Sequence, residues 1–431
     1  MDETRGLSPG ETLVFTLNAG SSSLKFALFR EDPDEDPERL ATGVVEAIGP
    51  NARLRVTHAD GGVAIDERPA GGIPNQAAAL ARVLGWLESF RPEAAAAAVG
   101  HRIVHGGPDL ARPVRIDAEI LDALARLEPL APLHQPNNLA GVRAAMAAFP
   151  QAVQVACFDT AFHQSHDRLR QTFPLPLKYY EAGVRRYGFH GLSYESVVDR
   201  LGRQFPEVAA GRIVVAHLGN GASMAAIRAG RPVATTMGFT ALDGLMMGTR
   251  SGSLDPGVLL YLLEVEGLSL PELTHMLYEE SGLRGVSGLS NDLRVLEASA
   301  EPAAALAIEM FVDRAARAVG ELAVVLGGLD ALVFTAGIGE NSARIRASIA
   351  ERLAFLGLSL DPQANASGGP VISATASLIR ALVVSTDEEA MIARHALAVL
   401  REVRTGTSAA PGRDSSARPE ARRHRSGDFL C

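Results

Sequence analysis

Two stretches of this chain follow the same plan, and that duplication limits the fold more than any other feature. At 13–17 (LVFTL) a buried strand runs into the polar turn NAGSSS and returns as a second strand at 24–29 (LKFALF). A third strand is predicted near 43–48. Far along the chain the pattern restarts. Residues 213–216 form a strand, HLGNGAS a turn, 224–227 the returning strand, and 232–236 a third. The likeness is one of pattern rather than identity. It predicts two related α/β domains that face a cleft, where ligands tend to bind.

The rest of the pattern fits that plan. Helices are predicted at 75–90, 117–127, 138–149, 257–266, 270–281, 302–326, 342–356 and 388–403, and strands at 94–103, 152–158, 332–335 and 381–385. AGIGEN, after the third of those strands, reads as a turn. The acidic stretch EDPDEDPER reads as an exposed loop with solvated charges. The domains are set at 1–160, completed by the helix 388–403, and 161–387. The tail 404–431, rich in Ser, Gly, Pro and Arg, reads as a disordered appendage.

A chain of 431 residues with 47% hydrophobic content buries large cores, carried mainly by Ala, Val and Leu because aromatics are only 5%. A formal net charge of −9 argues against a nucleic-acid binder. Two cysteines make no disulfide framework, which fits a reducing cytoplasm. The N-terminus lacks a signal-like apolar core, and no run suits a bilayer.

Three Gly/Ser-rich turns after apolar strands suit phosphate binding, because backbone N–H groups and hydroxyls close around an anion where side chains are small. No G-x-x-x-x-G-K-[ST] is present, so this is not a P-loop. Arg102 and Arg250 are candidates for carboxylate or phosphoryl forks, against a structural ion-pair reading. Asp159 ends an apolar strand, where α/β sites form. Glu388 reads either as part of a capping box or as a magnesium ligand. His190 lies in a glycine-flanked turn; a lone histidine there reads first as structural.

Ten blocks in order then resemble the acetate kinase family: LNAGSSSLKF, GHRIVHGG, APLHQPNN, FDTAFHQ, RRYGFHGLS, HLGNGAS, MGFTALDGLMMGTRSGSLDPG, SNDLR, FTAGIGENS and STDEEAMIAR. The resemblance implies two duplicated ribonuclease H-like domains of the actin-like ATPase fold, and transfer of the ATP γ-phosphoryl group to acetate. It also implies catalytic roles for Asp159, His190 and Arg250. Arg102, Val104, Leu133, Phe189 and Ala241 would bind the acyl substrate. Ser21, Ser23 and Lys25 would line the phosphate region. His217, Leu218, Gly219, Asn220, Gly221, Asp292, Leu293, Arg294, Gly337, Ile338, Gly339, Glu340 and Asn341 would bind nucleotide along with Lys25, and Asn18 and Glu388 would sit at magnesium (manganese as a substitute). A cytoplasmic homodimer is implied. Ala241 stands where the family usually has proline, and Asp243 where it has glutamate. The alternatives are a propionate or butyrate kinase, a sugar kinase, and a non-catalytic actin-like ATP-binding module. Arg102, His190 and Arg250 together argue against a module without turnover, and the second arginine argues for an anionic acceptor.

Overall fold

The computed structural model describes residues 11–20, 23–90, 96–132 and 134–406. The first repeat opens with β1 (Leu13–Ala19), every residue of which is buried. A strand with both faces covered reads as such a continuous apolar run. Leu13, Phe15 and Leu17 join one core cluster while Val14 joins another on the opposite face, the two-residue alternation of a pleated strand. The hairpin partner is β2 (Leu24–Arg30), followed by β3 (Glu38–Glu46), β4 (Arg53–His58) and β5 (Val63–Glu67). β6 (Ala96–Ile103), the short β7 (Val114–Arg115) and β8 (Val153–Phe158) complete the sheet. The second sheet contains β9 (Arg212–Leu218), β10 (Ala222–Arg228), β11 (Arg231–Thr235), β12 (Ala331–Thr335) and β13 (Arg380–Val383).

The duplication is explicit in the pairing. The first sheet runs β3-β2-β1-β6-β8 through its middle and the second runs β11-β10-β9-β12-β13. In each, the first two pairings are antiparallel and the last two parallel.

Helices cover both faces of each sheet. On the first sheet, α1 (Gln76–Phe90) and α2 (Gln135–Ala148) pack on the Phe15 side through Leu80, Val83, Trp86 and Ala145. The opposite face meets the last helix, here α7 (Glu388–Thr405), through Ile392, Ala396 and Leu400. On the second sheet, α3 (Gly191–Gln204) covers one face with Tyr194, Val197 and Leu201. The other face meets the long α5 (Pro302–Leu326), which opens on proline and ends at Gly327 in the left-handed conformation. α4 (Pro256–Glu264) buries none of its residues.

Several expectations are corrected. β4 and β5 were not foreseen, and neither was α3. His217 and Leu218, assigned to a turn, lie in β9. AGIGEN is a short helix, α6 (Ala336–Asn341). The helix expected at 342–356 ends at Arg352, with a 3-10 turn after it. In the acidic loop, Asp36 is not simply solvated: its carboxylate takes Arg203 and Arg394. α7 runs through Thr405, beyond the expected start of the tail. Residues 407–431 of the tail, together with Leu133 and Ser21, lie outside the described residues.

Candidate active site

Parallel strands of both sheets end at one cleft of about 530 Å³. This is where open α/β sheets gather their ligand groups. From the first sheet come Asn18 and Lys25, Arg102 on β6 and Asp159 just past β8; from the second come His217 and the turn at Gly219–Gly221.

Arg102 grips Asp159 with two parallel bonds, Nε to Oδ1 at 2.9 Å and Nη2 to Oδ2 at 2.5 Å, and reaches Asn18 Oδ1 from Nη1 at 3.1 Å. The Asp159 side chain is only 2% exposed. Burial works against the Arg102 charge, but the carboxylates of Asp159 and Glu388 outweigh it and hold the guanidinium above its ordinary range. Glu388 Oε2 is 3.9 Å from Arg102 Nε. Burial raises the Glu388 carboxyl, Arg102 pulls it back, and Asp159 raises it further.

Arg250 is the contrast. Its Nη1 donates to the Ala241 carbonyl at 3.0 Å and lies 3.8 Å from Met247 Sδ, with no carboxylate bonded to it among the described residues. Burial lowers its pKa, Tyr278 and Glu279 pull it back in part, and Arg102 adds to the lowering. A part-buried cation without a counter-ion is a receptor for an anion.

His190 is the N-cap of α3, with φ at 58°, an uncommon left-handed conformation for a non-glycine residue. Gly191 follows, and its amide donates to the Asp159 carbonyl at 2.9 Å. A Cβ there would lie 2.2 Å from that carbonyl oxygen, so only glycine lets α3 start against the end of β8. His190 and His217 stack with ring centroids 4.2 Å apart and 15° between planes. Burial keeps both rings neutral: His217 is lowered to about 3, and His190 well below its ordinary value. A Cβ on Gly221 would sit 3.2 Å from His190 Nε2 and 4.0 Å from Arg250 Nη1. The bare backbone of HLGNG therefore leaves one open point that faces a histidine nitrogen and an arginine nitrogen together.

Val104, Phe189 and Ala241 border the cleft and, with His134 and Tyr278, enclose a pocket of about 10 Å³. That is room for one water or a methyl group. His134 was not singled out as a site residue, although APLHQPNN carried the signal. Burial together with the charges of Arg250 and Arg102 lowers it to about 3. Asn138 in the same block clamps the site, accepting from the Val104 amide at 3.0 Å and donating to the Ala19 carbonyl at 2.7 Å.

The expected nucleotide residues divide into groups. Lys25, His217, Gly219, Asn220, Gly221, Gly337 and Glu340 face the cleft. Glu340 turns its carboxylate to the Ala336 amide at 2.9 Å and the Thr386 amide at 3.4 Å. Leu218 and Leu293 are core residues and Ile338 packs beside them, so any ligand contact of theirs runs through main chain. Gly339 is buried, and its carbonyl accepts from Arg346 Nη1 at 2.9 Å. Asn341 returns its amide to the Gly337 carbonyl at 2.9 Å. Asp292 and Arg294 pair with each other outside the cleft lining, Nη2 to Oδ2 at 2.6 Å. Their loop is tied to HLGNG by Asn291, which donates to Asn220 Oδ1 at 2.9 Å. Arg346, 1% exposed, was missed by sequence reading; it also takes the Glu340 carbonyl at 2.8 Å and Asn365 Oδ1 at 2.8 Å.

The model of the acetokinase family matches residues 13–394. An acetate kinase of Methylocella silvestris is 51% identical over 397 residues, covering 90% of this chain and 98% of the relative. A solved propionate kinase of Francisella tularensis superposes with TM-score 0.83 at 36% identity, over 90% of this chain and all of the other. A solved acetate kinase of Porphyromonas gingivalis gives 0.78 at 39% identity, with the same coverage. The fold is thus the duplicated actin-like ATPase arrangement that the family resemblance implied, built on the two α/β units that the repeated hairpins predicted.

Proposed function

Because this chain belongs to the acetokinase family, we propose that it transfers the γ-phosphoryl group of ATP reversibly to acetate, giving acetyl phosphate and ADP. A carboxylate oxygen forms a bond to the γ-phosphorus as the bridging oxygen leaves with ADP. A small carboxylate, with a reference pKa of about 4, is already ionised at pH 7, so no general base is required. The difficulty is anion meeting anion, and catalysis is charge neutralisation and in-line positioning.

The observation that carries this reading is the open point at Gly221, flanked by His190 Nε2 and by Arg250, to which no carboxylate is bonded among the described residues. There the phosphoryl group in transfer meets one donor and one cation. Arg102, held straight by Asp159, receives the acceptor carboxylate, and the pocket of Val104, Phe189 and Ala241 takes its methyl group. Asp159, already committed to Arg102, orients that arginine and does not abstract a proton. The turns at Gly219–Gly221 and α6 hold the nucleotide.

Glu388 fits a divalent cation: it has no hydrogen-bond partner among the described residues and is destabilised by burial. Asn18 lines the same cleft, its Oδ1 engaged by Arg102. No cluster of three or more His, Cys, Asp or Glu suited to a metal occurs among the described residues. Magnesium would ride on the substrate phosphates and needs only one or two protein ligands, for which Glu388 and Asn18 are the candidates. When bound, the ion supplies charge neutralisation on the phosphate oxygens.

A second reading, propionate as acceptor, is favoured by one observation. Ala241 is a short side chain on the pocket wall, and the Francisella tularensis relative is a propionate kinase. The pocket as it stands suits acetate. A hydroxamate assay with ATP, magnesium and a series of acids decides between them; no acyl phosphate from any short acid would refute both.

The molecule divides into domains at 1–160 with α7, and 161–387. α4 supports a homodimer, since Val258, Leu260 and Tyr261 are 43%, 57% and 51% exposed and such apolar faces mark interfaces. No helix among the described residues is long and apolar enough to cross a membrane. The free, buried Cys157 suits the cytoplasm.

A further inference from the structure

Behind His190 lies a short run of hydroxyls to which the reaction scheme assigns no role. His190 Nδ1 is 2.8 Å from Ser223 Oγ, and Ser223 Oγ is 2.5 Å from the Tyr194 hydroxyl. Tyr194 stands one helical turn after His190 on α3, and its amide donates to the His190 carbonyl at 3.1 Å. Ser223 lies on β10, paired with His217 across the sheet. Tyr194 and Ser223 are both 0% exposed, so neither hydroxyl reaches bulk solvent. Among the described residues the Tyr194 hydroxyl is bonded to Ser223 alone.

That enclosure sets the direction of each proton. A buried phenol O–H that does not donate is left unpaired, and the penalty biases an equilibrium by roughly tenfold or more. Its acceptor here is Ser223 Oγ. Ser223 Oγ could accept from both neighbours, but its own proton has no other acceptor among the described residues, so it donates to His190 Nδ1, which is therefore the bare nitrogen. The ring proton sits on Nε2, the atom beside the open point at Gly221 and facing Arg250. The opposite order, from Nδ1–H to Ser223 to Tyr194, strands the phenol proton in the core and aims a lone pair at an incoming anion. His217 Nδ1 likewise meets a buried serine, 2.8 Å from the Ser193 hydroxyl.

We propose that Tyr194 and Ser223 are positioning residues that lock His190 as the Nε2–H tautomer, so that a neutral imidazole offers the phosphoryl group a hydrogen bond and not a proton. What Nε2–H meets rests on the phosphotransfer reading; the tautomer does not. The step leaves the proton on His190 throughout, and the bonds that change are those at phosphorus.

Long-range proton–nitrogen NMR of the full chain labelled at histidine, with His190→Gln for assignment, reads the tautomer directly. The expected result for wild type is a protonated Nε2 and a bare Nδ1. Tyr194→Phe and Ser223→Ala are expected to mix the tautomers and to lower kcat roughly tenfold, with KM for acetate and ATP changed less than about twofold, a smaller loss than removal of the donor itself. Ser223→Thr, which keeps the hydroxyl, restores the wild-type tautomer and most of kcat. A protonated Nδ1 in wild type overturns the proposal, as does unchanged kcat in both variants. If a variant does not fold, the wild-type spectrum alone decides. An Nε2–H spectrum from a chain that makes no acyl phosphate refutes the phosphotransfer reading and leaves the tautomer assignment standing.

Discussion

Arg102 lies flat against Asp159, its Nε on Oδ1 at 2.9 Å and its Nη2 on Oδ2 at 2.5 Å, and this fork is what aims the remaining Nη1 toward Asn18. The pair is one partly desolvated unit. Asp159→Asn keeps the shape but removes the charge and one of the two acceptors. We expect kcat/KM for acetate to fall roughly 10²-fold at saturating magnesium. Near-full activity in that variant rules out an orienting role for Asp159.

Arg250 behaves differently because no carboxylate is bonded to it among the described residues. Arg250→Ala is expected to cost roughly 10² to 10³ in kcat/KM. Its melting temperature should stay within about 2 °C of wild type, since no ion pair is broken. Arg250→Lys should rescue little, because a point charge replaces a fork. A melting point that collapses along with activity would mean the arginine is structural.

Ala241 sets the length of the acyl pocket. Proline there adds about two methylenes of bulk, each worth roughly 0.8 kcal/mol when buried. Its carbonyl still accepts from Arg250. We expect Ala241→Pro to lower the propionate-to-acetate ratio of kcat/KM several-fold. A ratio that does not move eliminates Ala241 as a determinant of chain length.

Acid should destabilise this protein early. Burial lowers His101 and His163 to about 4 and His217 to about 3, from an ordinary value near 6.5. Their depressed folded-state values mean that the unfolded chain binds protons first as pH falls. Their contribution is therefore complete above about pH 6.5 and is lost from there down to about 4 for His101 and His163 and about 3 for His217, at roughly 1.4 kcal/mol per pH unit for each group. Thermal melts at pH 7.5, 6 and 5 test this. A level melting temperature across that range contradicts it.

The α4 face gives a simple test of assembly. Leu260→Glu places a charge on the exposed apolar stripe. Light scattering should report about twice the 45.4 kDa chain mass for wild type and the single mass for the variant. A wild type that runs as a monomer removes the dimer reading.

What was legible in the chain follows from what is local. β1 and β2 were readable because alternation and continuous burial are written in neighbouring residues. β4 and β5 were not: β5 has no buried residue, and Val63 is 53% exposed, so the apolar signal is missing. α6 was hidden by its two glycines, whose weak helical preference is overridden by Arg346 holding its last carbonyls. Asp36 looked solvated because its partners, Arg203 and Arg394, lie far along the chain.

By itself the sequence determined the repeated hairpins, the identity of the charged groups and their order, because backbone periodicity and turn chemistry act over a few residues. Which of those charges is satisfied was decided only by tertiary structure. Arg102 is neutralised by a residue 57 positions away, while Arg250 is left open. The proton on His190 is directed by Ser223, 33 positions distant, and by the burial of Tyr194. Such pairings depend on two sheets closing over one cleft, where excluded water makes each unpaired donor and charge costly.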